Sequence, residues 1–442
     1  MYQINNLFNI SLSKIHSVGI IIFPITLISG PFVPDLLCSY FAIYFLFYLI
    51  NTRNFFLLKN KYFYYLSVIY IYLNLNSIFS FDPILSFKTS LPYIRIILFI
   101  FFINHLLKKK IEIPKFLYIL FFAAIFLMTI DSIMQFFTSN NIFGNKVLIG
   151  SRISSFFGDE LIMGSYVARL LPFMIGISYL ISGDNFIKLN RILIFLSFIL
   201  IILSAERVAF IYFCCFCFFY FLLNKKEFLN FVIFVTIFLS LNFFYNSQFV
   251  DRIFKHTIFQ LSQSNNILSY RHVLHLKTAY DMFKDEKISG HGLKSFRHIC
   301  SKEKYKSQIT EKAERDKIKI INKFKNDKEK MSIMLLPINN YSDGCNTHPH
   351  NIYLEFLAEI GVIGFLLYFF MFIYFCIEFF KIALNILLFK STNKINYSKY
   401  FILISICLPM LPMIPSGSYF NNWMLMITNF PIAFYLYVVS KK

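Results

Sequence analysis

The sequence predicts an all-α polytopic membrane protein of about 12 transmembrane helices with one large periplasmic helical loop. Three observations lead there. Of 442 residues, 57% are hydrophobic and 20% aromatic, with 59 Phe, while only 15% are charged, about ten points below the soluble average. Apolar runs near the roughly 20 residues needed to cross ~30 Å of hydrocarbon recur along most of the length. The Lys and Arg behind the net charge of +20 sit, outside one long insertion, mainly in short connectors between those runs. That placement is a topology signal, and it argues against nucleic acid as a partner. A disordered chain, a disulfide-built miniprotein and an ordinary soluble enzyme are excluded.

Taken in order, the expected spans centre on 16–31, 35–52, 62–80, 90–107, 115–136, 162–182, 190–204, 207–223, 228–247, 351–377, 399–416 and 420–438. The first is short and broken by Pro24 and Gly30. The apolar stretch from Lys188 to Asn224 is too long for one helix, so it is divided at Glu206-Arg207. No cleavable signal peptide is evident, and no internal repeat appears. The organisation read from this is transmembrane helices 1–9 over residues 1–247, a periplasmic loop subdomain over 248–350, and helices 10–12 over 351–442.

With the N-terminus inside, alternate connectors carry the positive charge: Arg53, Lys59 and Lys61; Lys108, Lys109, Lys110 and Lys115; Lys188 and Arg191; Lys225 and Lys226; Lys381, Lys390, Lys394 and Lys399. The short opposite connectors hold only Lys88, Lys146 and Arg152. The positive-inside rule then puts both termini in the cytoplasm and the long loop outside it. The expected location is the bacterial inner membrane, with membrane lipids as surroundings.

Seven of the nine His fall in that outer segment: His256, His272, His275, His291, His298, His348 and His350. A polar excursion of this length is usually functional. Six cysteines lie in apolar spans and read as small hydrophobes. Cys300 and Cys345 are the outer pair; an oxidising compartment favours a disulfide between them, with two free thiols as the alternative.

The most informative string is NTHPHNIYLEFLAEIGVIGFLLYFF, residues 346–370. His350 stands at the water-facing mouth of span ten, Asn351 can cap the helix start, and Gly361 and Gly364 form a flat strip for close helix approach. Taken singly, these describe a capped helix with a packing face and a solvated His. In 270–283, Val273, Leu276, Tyr280 and Phe283 share one face at helical spacing, with Arg271, His275 and Thr278 opposite.

The pattern H-N-x9-G-x-x-G after a long external loop resembles the O-antigen ligase and O-antigen polymerase superfamily. Ser204-Ala205-Glu206-Arg207 is similar to that family's middle-span signature, with Glu206 departing from its usual small residue. SYRHVLHLKTAYDMFKDEKISGHGLKSF, residues 269–296, resembles its outer-loop segment, with His275 standing near the usual aromatic. The resemblance implies a GT-C-like fold and a membrane glycosyltransferase, with His350, Arg271 and Arg207 as catalytic residues and His348 as a neighbouring candidate. It implies an undecaprenyl diphosphate-linked glycan as donor and lipid A-core or another glycan as acceptor. Guanidinium groups suit that donor, because their fixed fork grips phosphate oxygens and stays charged in a low dielectric. An imidazole suits deprotonation of a sugar hydroxyl near neutral pH.

GSRISSFFGDELIMGSYVARLLP, residues 150–172, adds Arg152, Glu160 and Arg169 as substrate-binding candidates at the outer boundary; a structural ion pair explains them equally well, and the same holds for Arg95. No cofactor is expected. Cys345, His348 and His350 match no regular zinc template, so no metal is expected either. The basic stretch 311–330 reads as a solvated amphipathic helix with Ile318, Ile321 and Phe324 packing down. The expected activity is inverting, metal-independent transfer or polymerisation of a glycan on the periplasmic side. The alternative is a flippase or transporter for lipid-linked oligosaccharide, which would call for mid-membrane charges and internal pseudo-symmetry.

Overall fold

The computed structural model describes residues 2–441 except 111, 147–151, 245–269, 306–314, 316, 317, 320, 324–343, 390–392 and 413, and leaves out the side chains of 2–13, 237–239 and 241–244 and those of Tyr270 and Arg271. The helices are α1 Tyr2–Thr26, α2 Phe32–Thr52, α3 Lys61–Ile78, α4 Pro83–Ser90, α5 Ile94–Lys109, α6 Ile113–Thr138, α7 Met163–Ser178 and α8 Asn185–Ser204. They continue as α9 Arg207–Leu223, α10 Lys225–Phe244, α11 Tyr270–Asp285, α12 Phe296–Ile299, α13 Ile352–Leu388, α14 Lys394–Cys407 and α15 Asn422–Ser440. Among the described residues there is no strand, only an isolated bridge between Asn140 and Lys146. By length and composition, six helical stretches among the described residues suffice to cross a membrane: α2, α4 with α5, α6, α8, α13 and α15. Three shorter apolar helices accompany them, over 14–29, 163–178 and 207–223.

A bilayer core offers no water to backbone polar groups, which is why the spanning segments close all their hydrogen bonds as helices. α5, α7, α14 and α15 form the middle of the bundle, where nearly every side chain is buried. Aromatic rings interlock there: Phe23 and Phe430 stack at 4.8 Å, and Phe173 meets Phe434 at 5.0 Å. The surrounding helices keep large apolar side chains exposed, including Phe47, Ile71, Leu127, Phe218 and Leu384. A soluble protein avoids so broad an apolar surface; hydrocarbon accepts it.

Polar contacts separate the two ends. At one end Lys394 pairs with Asp184 at 2.7 Å, Tyr62 with Tyr374 at 2.8 Å, and Arg191 with Glu227. At the other, Phe81 N donates to His291 O at 2.9 Å and Ser416 N to His350 O at 3.0 Å. The second end carries the outer segment, which has its own small core of Ala279, Met282, Phe296, Ile299, Cys300 and Tyr305 against Ala358 of α13. Cys300 and Cys345 are joined there as a disulfide, with Cα atoms 5.0 Å apart.

Three local expectations are corrected. Gly361 is not part of a smooth helical strip: its φ of 64° and ψ of −173° interrupt α13. The segment 287–292 docks into that break, where a Cβ on Gly361 would meet Ile288 O at 2.1 Å. Val362 N donates to Lys287 O at 2.9 Å and Gly292 N to Glu359 O at 2.7 Å, so a turn of the chain, not a helix, occupies the space. At Gly364 a Cβ would meet the side chain of Ile360, and Tyr72 of α3 approaches the same turn, its hydroxyl donating to Ile360 O at 2.6 Å.

The packing face of α11 is also reversed. Leu274, His275, Thr278, Ala279 and Met282 are buried, whereas Tyr280 is exposed. Small side chains let α11 approach α13 and Gly344 closely, and a count of bulky apolar residues overlooks them. Finally, Ile318 and Ile321 are exposed rather than packed down; Phe324 lies outside the described residues.

Candidate active site

Where the outer segment re-enters the bundle, His348-Pro349-His350-Asn351 makes a tight corner. Proline disfavours helix at the residue before it, so His348 stays out of α13. Asn351 then starts that helix, its side chain accepting from Tyr353 N at 3.1 Å and Leu354 N at 3.0 Å. His350 adopts the left-handed conformation, φ 58°, at a cost of roughly 1–3 kcal/mol for a residue other than glycine. The corner is held by the Ser416 N–H on the His350 carbonyl.

The strain places one imidazole among three others. The His350 ring lies 4.2 Å from that of His348, 5.2 Å from His272 and 5.4 Å from His275. The latter two sit on the first turns of α11. His275 is buried, while His350 is half-buried. Among the described residues, no three His, Cys, Asp or Glu side chains are arranged to hold a metal ion. Asn346 fixes a tautomer: its Oδ1 accepts from Thr347 N at 2.7 Å, which turns its Nδ2 to within 3.1 Å of His350 Nε2. An amide nitrogen only donates, so His350 Nε2 carries the lone pair and the neutral ring holds its proton on Nδ1. Burial, reinforced by Arg297, His275 and His272, pulls the His348 imidazole down to about 4, so His348 is neutral at neutral pH.

Two carboxylates in α13 brace this corner. Glu355 is buried and accepts from Ser418 Oγ and from Tyr419 N at 2.8 Å. Glu359, one turn on and equally buried, accepts from Lys294 N at 2.7 Å and Phe296 N at 3.2 Å. They fasten the outer segment and the α14–α15 connector to the same helical turn. Sequence reasoning missed both, as well as Asn346 and Arg297. The available signal was two ionisable residues four apart in an otherwise apolar span.

A second polar group lies at the α8–α9 turn. Ala205 takes a left-handed conformation at φ 49° and reverses the chain. Glu206, buried, then caps another helix: it accepts from Gly164 N at 2.8 Å, Ser165 N at 3.2 Å and Ser165 Oγ at 2.7 Å, at the start of α7. Burial raises its carboxyl above the ordinary range, while these donors and Arg152 pull it back. Arg207, half-buried, opens α9. Arg169 is not at the mouth but inside α7, buried, its guanidinium over the Tyr212 ring at 5.3 Å and its Nη1 on Ser165 O at 3.1 Å. Glu160 is exposed on the loop before α7. Arg95 is an ion pair, bound to Asp35 at 2.7 Å.

The histidine corner and the arginine turn therefore occupy the same end of the bundle, with α14, which packs against both α7 and α13, between them. Arg271 belongs to the first turn of α11, one residue before His272; its side chain lies outside the described residues. The family of O-antigen ligases matches this chain over residues 192–369.

The match covers less than half of the chain. The matched residues include Arg207, Arg271, His348, His350 and Gly361, and leave out Arg152, Glu160 and Arg169. The match supports a membrane glycosyltransferase of the O-antigen ligase and polymerase type in a bacterial membrane, acting on a lipid-linked glycan. No curated protein matches the chain.

Proposed function

We propose that the protein transfers or polymerises a glycan from undecaprenyl diphosphate on the periplasmic side, with His350 as base and Arg207 and Arg271 on the diphosphate. The observation that carries this reading is the His350 corner itself. A half-buried imidazole, held in a strained backbone with its Nε2 lone pair facing the Asn346 amide, adjoins the helix turn that bears Arg271. In the reaction, an acceptor hydroxyl replaces the Asn346 amide at Nε2 and gives up its proton there. Its oxygen bonds to C1 of the donor sugar as the C1–oxygen bond to the diphosphate breaks. Attack opposite the leaving group inverts the anomeric centre. Charge that grows on the departing diphosphate is where two guanidinium groups contribute most. No cofactor or metal is given a role.

The remaining candidates take supporting parts. His348, neutral, donates or accepts a hydrogen bond beside the base. Arg152 and Arg169 line the arginine turn, and Glu160 meets the acceptor from the water side. An apolar groove of about 660 Å³ between α9 and α10, lined by Cys217, Phe221 and Phe228 and reaching Lys225 at the far end of α9 from Arg207, would take the lower part of an isoprenoid tail whose diphosphate lies at Arg207. The outer segment 248–350 acts as a cap between helices 1–9 and 10–12.

Arg271→Lys keeps the charge and removes the planar fork. In purified, correctly inserted protein it should leave little transfer activity, and undiminished transfer would refute the assignment. Lipopolysaccharide from a deletion strain separates the two acceptor classes. Bare core marks a lost ligase; core with a single repeat unit marks a lost polymerase.

A further inference from the structure

A polar cavity of about 240 Å³ opens at the same end of the bundle, lined by Asp35, Lys88, Tyr93, Arg95, Lys294 and Asn422 among others. Its charges do not cancel. Asp35 is consumed by Arg95, whose guanidinium binds both carboxylate oxygens at 2.7 and 3.1 Å and also reaches Ser39 Oγ at 3.1 Å. Lys88, from the last turn of α4, and Lys294, from the outer segment, make no ion pair among the described residues. Behind the wall, both oxygens of Glu359 are taken by the backbone N–H groups of Lys294 and Phe296.

Lys294 is placed there by the fold. Its φ of 59° is left-handed, a conformation that lysine adopts rarely, and the Glu359 bond to its own N–H holds it so. Burial lowers the pKa of its half-buried ammonium, and the like charges of Arg297 and Arg95 act in the same direction against the opposing pull of Glu359 and Glu355. Gathering three cations, of which only Arg95 has an ion-pair partner among the described residues, at a half-closed site is unfavourable unless an anion joins them.

The rim identifies the anion's carrier. Phe32 is 74% exposed one turn before Asp35, and Ile84, 73% exposed, and Leu91, 52% exposed, flank Lys88. Ile84, Lys88 and Leu91 fall on one helical face, so the mouth is a lysine set in apolar side chains. That combination suits the boundary between headgroups and acyl chains.

We propose that this cavity is a binding site for a phosphate group borne on a lipid, gripped by Lys88 and Lys294 with Arg95 held ready by Asp35. It does not depend on the transferase reading. The phosphate could belong to a membrane phospholipid or to a phosphorylated glycolipid; both present the same anion at the same depth.

The test uses the full chain in phosphatidylcholine nanodiscs doped with phosphatidylglycerol, with retained anionic lipid counted by native mass spectrometry. Lys88→Ala with Lys294→Gly, the glycine keeping the left-handed backbone comfortable, should weaken retention by on the order of tenfold. Lys294→Arg should keep it, and Lys61→Ala, at the opposite end, should not change it. Equal retention in wild type and the double variant, or an equal loss in Lys61→Ala, would overturn the proposal. Complete displacement by inorganic phosphate at matched concentration would overturn the lipid-borne assignment and leave a soluble-anion site. A phosphorylated glycolipid that outcompetes phosphatidylglycerol in the wild type alone would identify the glycolipid as the carrier.

Discussion

Glu206 and His350 both stand at the outer-segment end of an apolar bundle, and they solve opposite problems. Glu206 is sealed, and three donors at the start of α7 occupy its oxygens. A carboxylate so placed finishes a helix terminus that would otherwise leave backbone N–H groups without acceptors. His350 is half-buried, its backbone is left-handed, and its Nε2 meets a replaceable side-chain amide. Saturated polar atoms build the bundle; a polar atom kept exchangeable at the expense of backbone strain is available for chemistry.

The sharpest way to break this contrast is His350→Ala. Losing the base should lower transfer by about 10²–10⁴-fold, while thermal unfolding in detergent stays close to wild type. A large drop in melting temperature with residual transfer intact would reverse the comparison. Gly361→Ala should do the converse. A methyl group 2.1 Å from Ile288 O at a φ of 64° forces apart two backbones, and a loss of about 3 kcal/mol is expected. Thermal unfolding reads that loss, and unchanged stability would mean that the docked segment is not structural.

Glu206→Gln should be milder. The amide nitrogen turns a donor toward the Gly164 and Ser165 donors, costing about 2 kcal/mol, yet transfer measured at low temperature should stay within a small factor of wild type. Loss of transfer without loss of stability would move Glu206 into the chemistry. The smallest effect is Asn346→Asp. A carboxylate beside His350 Nε2 favours the protonated imidazole and raises its pKa, and a base works only above its pKa. The acid limb of the pH–rate profile should therefore move up by about one unit; an unmoved or lowered limb would remove Asn346 from the base's surroundings.

How much of this is legible in the sequence depends on what kind of signal each residue leaves. The helices are readable because a bilayer requires length and apolarity, both local properties; among the described residues helices lie in the stretches read as spans, and six helical stretches are long and apolar enough to cross. The turn at Glu206-Arg207 is readable because a charged pair interrupts an overlong apolar run. His350 and Asn351 are readable as a pair through the capping chemistry of Asn351. The buried face of α11 is not, since Ala279, Thr278 and His275 make contact by being small or polar where Val273 and Tyr280 are the bulkier choice. Nor is the partner of Gly361, because a glycine states only that something comes close. The target of Glu206 lies forty residues upstream and is visible only in three dimensions.

The junction at Gly361 has a mechanical consequence. Residues 287–292 are hydrogen-bonded to both sides of the interruption in α13, at Glu359 O and Val362 N, so the extramembrane part and the span share one continuous backbone lattice. Residues 287–292 are thus unable to swing away from α13 like a hinged door without unzipping that lattice. A mutation at this pillar should therefore loosen the turn and both halves of α13 together rather than either one alone.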